Sequence, residues 1–240
     1  EVPGALTVEV RPMGPEAELG AGWAISKLNS QEDRRPLPLG RFESGVVGIG
    51  VEVDAHGITM MRGTRAELAW PGDGRSPTPL FQGVSVPVIV REERTDTALG
   101  AVLIDAADPC QRWMAAQKLA GRAVGARLAN HSRNTAAETY ADALASALDQ
   151  PASDPALVAE LITLPEPRAL FEPLEFPDPL ELHAAWADVR RFLGGRLADR
   201  LIRARAKVAS VPEISRSPQA IGARMLGNAA LELWLASGDP

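Results

Sequence analysis

The residues in this sequence that could carry out chemistry are few, and their spacing fits no common catalytic site. The three histidines are His56, His131 and His183, and none has a second histidine or a carboxylate at the spacing of an H-E-x-x-H zinc helix. No G-x-S-x-G motif for a serine nucleophile occurs. We expect structural or solvated roles for the histidines, and the sequence predicts no catalytic, cofactor-binding or metal-binding residue in this chain.

The single cysteine, Cys110, is the remaining candidate nucleophile. It follows Asp108-Pro109 at a predicted helix start, where the positive end of the helix dipole favours an anion. No histidine lies nearby in sequence to act as its base, so a packed, inert thiol is the preferred interpretation, and a thiol hydrolase stays as the weakest alternative. A single cysteine cannot form an internal disulfide, which favours a reducing compartment and predicts a cytoplasmic protein.

Several other residues resemble parts of binding sites but have simpler interpretations. Gly121 and Gly125 lack the strand and the further glycines of a nucleotide-binding loop, so they predict close helix packing. Arg112 could hold a carboxylate near the domain junction, although a solvated or structurally paired arginine is the preferred interpretation. Core positions are predicted for three tryptophans that lie on apolar helical stripes: Trp113, Trp186 and Trp234.

Two kinds of element must position these side chains, because the period of the hydrophobic pattern changes near Thr95. Up to about Val90 the pattern alternates with period two, as in Leu6, Val8 and Val10, and clusters of proline and glycine separate the alternating runs. The same alternation appears at Trp23 with Ile25 and at Val51 with Val53. The pattern predicts an antiparallel β-sandwich domain over residues 1–93.

From residue 94 to residue 240 the pattern has a period of about 3.6 and predicts an all-α antiparallel helical array. Its plainest stripe is Leu182, Trp186, Val189, Leu193, Leu197 and Leu201. Three helix starts share an Asp-Pro pair, at Asp108, Asp154 and Asp178, with aspartate as the N-cap and proline in the first turn. Further helices are predicted over 97–107, 135–148 and 217–236. The predicted fold class is therefore α+β by segments.

The net charge and the lengths of the apolar runs argue against two classes of partner. A chain of 240 residues with a net charge of −6 would repel a nucleic-acid backbone, and no apolar run is long enough to cross a bilayer. We therefore expect neither nucleic acid nor a membrane as a partner. The chain begins at Glu1 without a signal peptide, and we interpret it as a portion of a longer protein.

The order of several short motifs resembles one enzyme family. Thr78-Pro79-Leu80-Phe81, then Val84 to Val88, then Asp108-Pro109 with Arg112-Trp113 and Ala116-Gln117, is similar to the junction between the small Ig-like β-sandwich and the C-terminal helical domain of bacterial M1 zinc aminopeptidases, the alanyl aminopeptidase (aminopeptidase N) branch. The run Asp154 to Pro165 is similar to the family pattern D-P-A-x-x-A-E-x-L-x-L-P. Asp178 to Arg190 and Arg224 to Ala236 are similar to two further family segments.

The sequence departs from the family pattern at Gln82, Val84 and Met114, where arginine, phenylalanine and an acidic residue are usual. The resemblance implies a zinc-dependent parent that removes N-terminal residues from peptides. Its H-E-x-x-H, distal glutamate and G-A-M-E-N motif belong to an upstream catalytic domain, and none of them occurs here. The resemblance thus implies a supporting portion that is inactive alone, with that catalytic domain as its partner, zinc bound only there and peptide substrates only for the whole enzyme.

One alternative of a different class stays open: a free-standing, non-enzymatic interaction module with a helical binding surface. A shortened helical array is also expected to expose apolar residues near its end, with Trp234 and Leu235 as candidates. We therefore predict concentration-dependent self-association of the chain.

Overall fold

The computed structural model describes residues 94–150, 154–171, 173–208 and 215–238, with side chains described except at 207–208, together with the backbone of seven strands between residues 6 and 92. The chain divides into two compact units, Glu1–Thr95 and Asp96–Pro240.

The described strands of the first unit are short. They are β1 (Leu6–Pro12), β2 (Leu37–Arg41), β3 (Val47–Ile49), β4 (Val51–Val53), β5 (Ile58–Met61), β6 (Ala66–Trp70) and β7 (Val88–Glu92). They pair antiparallel in the orders β3-β6-β1-β7 and β2-β5-β4. In the first sheet, Leu6 of β1 pairs with Trp70 of β6, and Val8 pairs with Glu92 of β7. Trp23, Ile25 and His56 lie outside the described residues.

The predicted fold class, an Ig-like β-sandwich followed by a helical array, is corrected by the structure. Wherever side chains are described, from residue 94 to residue 238, the regular elements are helices and none is a strand. The fold that the packed side chains define is therefore all-helical. The physical reason for the error is that an alternation with period two predicts a strand with one apolar face but does not predict what covers that face.

Seven helices make up the described part of the second unit. They are α1 (Asp96–Asp105), α2 (Pro109–Leu128), α3 (Thr135–Asp149), α4 (Pro155–Ile162), α5 (Pro167–Phe171), α6 (Pro179–Val208) and α7 (Pro218–Leu235). The predicted helices over 97–107, 135–148 and 217–236 are confirmed to within two residues at each end.

Side-chain caps explain why the helices begin where they do. The Asp108 and Asp154 carboxylates each accept a hydrogen bond of 2.9 Å from the backbone N–H two residues later, and a proline follows each cap. Asp178 accepts two such bonds at the start of α6, from the N–H groups of Leu180 and Glu181. Each cap satisfies donors that have no partner inside the helix, so the predicted Asp-Pro starts are confirmed.

The core of the helical unit is built from leucine and alanine. Its fully buried large side chains include Tyr140 with leucines of α1, α2, α3, α4 and α6. The predicted α6 stripe is confirmed, because Leu182, Val189, Leu193, Leu197 and Leu201 are buried and Trp186 packs against the same core. The buried Tyr140 hydroxyl donates a 2.6 Å hydrogen bond to the Leu161 carbonyl at the end of α4, which satisfies one of the unpaired last-turn acceptors.

Glycines allow close contacts at three places, two between helices and one between α2 and the turn before α6. A Cβ added at Gly194 of α6 would lie 2.3 Å from the Leu233 carbonyl oxygen of α7, and one at Gly222 of α7 would lie 3.0 Å from the Ala156 nitrogen of α4. At Gly125 of α2, the added atom would lie 2.9 Å from Leu174 Cδ2. Within the described ranges, no helix is both long and apolar enough to cross a membrane.

Candidate functional site

Two of the three candidate histidines lie in the described part of the chain, on different elements. His131 follows α2, where its N–H donates to the Ala126 carbonyl, and His183 lies in the first turns of α6 with its ring 5.8 Å from that of Trp186. His56 is outside the described residues. Among the residues that the structure describes, no three His, Cys, Asp or Glu side chains are grouped closely enough to hold a metal ion.

Cys110 lies in the first turn of α2, and its N–H donates to the Asp108 carboxylate at 2.9 Å. The residue is exposed, so the predicted packed thiol is wrong. The side chain of Asp108 reaches the first turn of α2 as a cap, which is a structural role.

Arg112 joins the end of α1 to the start of α2. Its Nε donates a 2.7 Å hydrogen bond to the Leu103 carbonyl, while its Nη2 is buried with no hydrogen-bond partner among the residues that the structure describes. Burial lowers the pKa of Arg112, and the negative charge of Asp105 opposes that shift. The interpretation of Arg112 as a structurally paired arginine is confirmed. Trp113 beside it is 42% exposed, so its predicted core position is wrong.

The two glycines of α2 are confirmed as packing positions. The added Cβ at Gly121 would contact Leu170 of α5 at 3.5 Å, and Gly125 leaves room for Leu174, as described above. Both contacts bring the segment between α4 and α6 against α2. The leucine atom fills the space at Gly125, whereas an added Cβ at Gly121 would make an ordinary van der Waals contact.

Side chains around Trp186 connect α6 with Pro165, which follows α4, and with Glu232 of α7. The Trp186 indole N–H donates 2.9 Å to the Pro165 carbonyl, and the Arg190 guanidinium lies over the ring at 4.6 Å from its centre. Arg190 also bonds Glu232 of α7 at 2.8 Å. The spacing i, i+4 on α6 is a signal from which the Trp186 and Arg190 pair could have been predicted.

An arginine-lined groove of about 460 Å³ opens where α2 ends, α3 begins and α6 passes. We call it the arginine groove; its polar and aromatic lining residues are Arg127, Ser132, Arg133, Asn134, Glu138, Asp188, Arg191 and Phe192. The groove is the candidate site that sequence reasoning missed. No sequence motif predicts it, because its side chains come from α2, the connection to α3, α3 itself and α6, up to 65 residues apart in sequence.

The Asp188 carboxylate organises the groove. It bonds Arg127 through its Oδ2 at 2.7 Å and Arg191 through its Oδ1 at 2.5 Å. These hydrogen bonds hold the pKa of Asp188 below its usual range, so the carboxylate is ionised at neutral pH. Arg133 is paired separately with Glu138 at 3.1 Å. Three arginines against two carboxylates leave the groove with a local charge of about +1 by simple counting.

The fold alone defines a broad class of protein. The described helices, which run from 5 to 30 residues, pack around one continuous apolar core, so this part of the chain is an all-helical array.

A comparison with known protein families identifies the family to which this chain belongs. Residues 96–240 match the family described as a domain of unknown function (DUF3458_C) with ARM repeats, and the chain belongs to that family.

Curated relatives with named activities share part of the sequence. The chain is 30% identical over 184 residues to Aminopeptidase N of Caulobacter vibrioides, which covers 76% of this chain and 21% of that protein. It is 30% identical over 174 residues to Aminopeptidase N of Escherichia coli K12, which covers 70% of this chain and 20% of that protein. The chain therefore spans about a fifth of the length of these relatives.

A solved structure shares the fold. The crystal structure of Legionella pneumophila aminopeptidase A in complex with aspartic acid matches 86% of this chain and 25% of its own chain, with a TM-score of 0.65 and 18% identity. At this level of identity the match supports the fold and nothing further.

Proposed function

We propose that this chain is a helical portion of an M1 zinc aminopeptidase, which removes N-terminal residues from peptides. The observation that carries the proposal is the similarity to Aminopeptidase N, at 30% identity over 184 residues of this chain. The motif order from Thr78 to Ala236 supports the same family.

In the proposed parent enzyme, chemistry and support belong to different portions. A zinc-bound water and a general-base glutamate would hydrolyse the peptide bond, which requires a ligand set such as H-E-x-x-H. That motif does not occur among the 240 residues, so the zinc and the peptide substrate are assigned to a catalytic domain elsewhere in the parent. The helical array would bind that domain and support it. Cytoplasmic location is part of the same proposal.

An assay with an alanine anilide tests the proposal on the purified 240-residue chain. We expect no hydrolysis above buffer, with or without added zinc, and a full-length relative assayed in parallel serves as the positive control. Zinc-dependent hydrolysis that a chelator abolishes and a mock purification lacks would overturn the supporting role.

The gene distinguishes the proposal from a free-standing interaction module. An H-E-x-x-H encoded upstream of Glu1 in the same reading frame supports the aminopeptidase, whereas a start codon directly before Glu1 supports the module.

A further inference from the structure

The outer face of α6 carries two neighbouring patches of opposite charge. One is the arginine groove. The other, which we call the acidic patch, consists of Glu175, Phe176, Asp178, Leu180 and Glu181 and begins just before the helix. The sequence contains no lysine or arginine from residue 169 to residue 189, so the acidic patch has no basic neighbour along the chain.

The acidic patch exposes large apolar side chains in a fixed conformation. Leu180 is 82% exposed and Phe176 is 68% exposed. Glu175 and Phe176 both have positive φ, at 59° and 58°, which is costly for residues other than glycine. The turn is held by a 2.9 Å hydrogen bond from the Phe176 N–H to the Phe171 carbonyl and by an edge contact between the two rings. A strained turn that presents an aromatic ring to solvent is typical of a recognition surface.

The two patches share one face of α6. Leu180, Ala184 and Arg191 are four and seven residues apart, which places them on the same side of the helix. At 1.5 Å per residue, Leu180 and Arg191 are roughly 16 Å apart along the axis. The centre of the face between them carries the small side chains of Ala184 and Ala187, with His183 and Asp188 at its two edges, so another helix could approach closely along the alanines.

We propose that this face binds a second copy of the chain, with the two α6 helices antiparallel about a two-fold axis between Ala184 and Ala187. The axis exchanges the two ends of the face, so one operation brings the acidic patch of each copy against the arginine groove of the other. The three carboxylates of Glu175, Asp178 and Glu181 then face the positive groove, and Leu180 is buried near Phe192, which is 42% exposed in one copy alone.

Charge complementarity favours a second copy of the chain as the partner of this face. A single partner surface must supply both a basic groove with an exposed aromatic ring and an acidic patch with exposed apolar side chains, and a second copy supplies both at the required spacing. The contact differs from association through Trp234 and Leu235 at the end of α7. It also does not depend on the aminopeptidase assignment, because it uses only this chain's own surface.

Sedimentation equilibrium of the 240-residue chain over a wide concentration range tests the proposal. We expect a monomer–dimer equilibrium in which Leu180→Glu, Arg191→Glu and Glu181→Arg each raise the dissociation constant by about tenfold or more. The double variant Glu181→Arg with Arg191→Glu restores the charge pairing and is expected to regain most of the affinity.

The control is Leu235→Glu, which changes an exposed leucine of α7 outside both patches and is expected to leave the dimer unchanged. Circular dichroism and the thermal midpoint check that each variant is folded. The proposal is overturned by a chain that stays monomeric, by a dimer that tolerates Leu180→Glu, by association lost only in Leu235→Glu, or by a folded double variant that does not recover.

Discussion

The inner and outer faces of α6 have opposite roles although they belong to one helix. Leu193 and Leu197 on the inner face are fully buried in the core, whereas Leu180 on the outer face is 82% exposed. The same residue type therefore stabilises the fold on one side and is available for recognition on the other. Substitutions on the inner face should change the free energy of unfolding, and substitutions on the outer face should change association with a second copy.

The largest expected effect is the loss of a core side chain. Leu193→Ala leaves a cavity in the centre of the array and should lower the free energy of unfolding by about 2–5 kcal/mol. The matched change Leu180→Ala, on the exposed side of the same helix, should alter it by less than about 0.5 kcal/mol. Urea unfolding followed by circular dichroism measures both; equal losses would show that α6 does not have an inner and an outer face.

The second largest difference in stability is expected between alanine substitutions at two adjacent glycines of α6, Gly194 and Gly195. Alanine at Gly194 would place its Cβ 2.3 Å from the Leu233 carbonyl oxygen, so α7 must shift, at a cost of about 1–3 kcal/mol or more. Alanine at Gly195 meets no atom of the described residues within 4 Å and should stabilise the helix by up to about 1 kcal/mol. The two thermal midpoints should therefore move in opposite directions, and a common sign would contradict the close contact between α6 and α7.

Tyr140→Phe tests a polar contact inside the core. The variant keeps the ring but leaves the Leu161 carbonyl at the end of α4 without the tyrosine hydroxyl, which should cost about 1–2 kcal/mol. Burial raises the pKa of Tyr140 above its usual range, so the folded state keeps the hydroxyl protonated where the unfolded state begins to lose it, near pH 10. The stability advantage of the wild type over Tyr140→Phe should shrink as the pH rises above that value. An advantage that is constant to pH 11 would argue against the buried donor.

The smallest expected change in the free energy of unfolding comes from a substitution in the arginine groove. The pKa of Asp188 is lowered by Arg127 and Arg191, so its contribution to stability is present above the unfolded value near 4 and is lost as the pH falls through the folded pKa. Because the groove is partly exposed, Asp188→Asn should cost less than about 1 kcal/mol at pH 7 and nothing near pH 2. The exposed Asp199 of the same helix provides the control substitution Asp199→Asn, which removes a negative charge outside the groove.

Local signals predicted the helices well because each depends on neighbouring residues. The caps at Asp108, Asp154 and Asp178 act on backbone groups within three residues, and the apolar stripe of α6 needs only helical spacing. The motif order from Thr78 to Ala236 also predicts the similarity to Aminopeptidase N. Such features can be recognised in a single sequence.

Features that depend on distant residues were wrong or missed. The sandwich was predicted from alternation alone, and Trp113 was assigned to the core from its stripe although its side of α2 is exposed. The close contact at Gly194 depends on Leu233, which lies 39 positions later in the sequence. The arginine groove needs the end of α2, the start of α3 and the middle of α6 together, and only tertiary structure brings them into contact.

Hydrogen–deuterium exchange of the 240-residue chain at low and high concentration tests most directly the division of α6 into a core face and a recognition face. We predict that peptides covering residues 174–192 and 127–134 gain protection at high concentration, while the inner stretch 193–201 exchanges slowly at both. Unchanged exchange at every concentration, or new protection confined to the end of α7, would contradict this account.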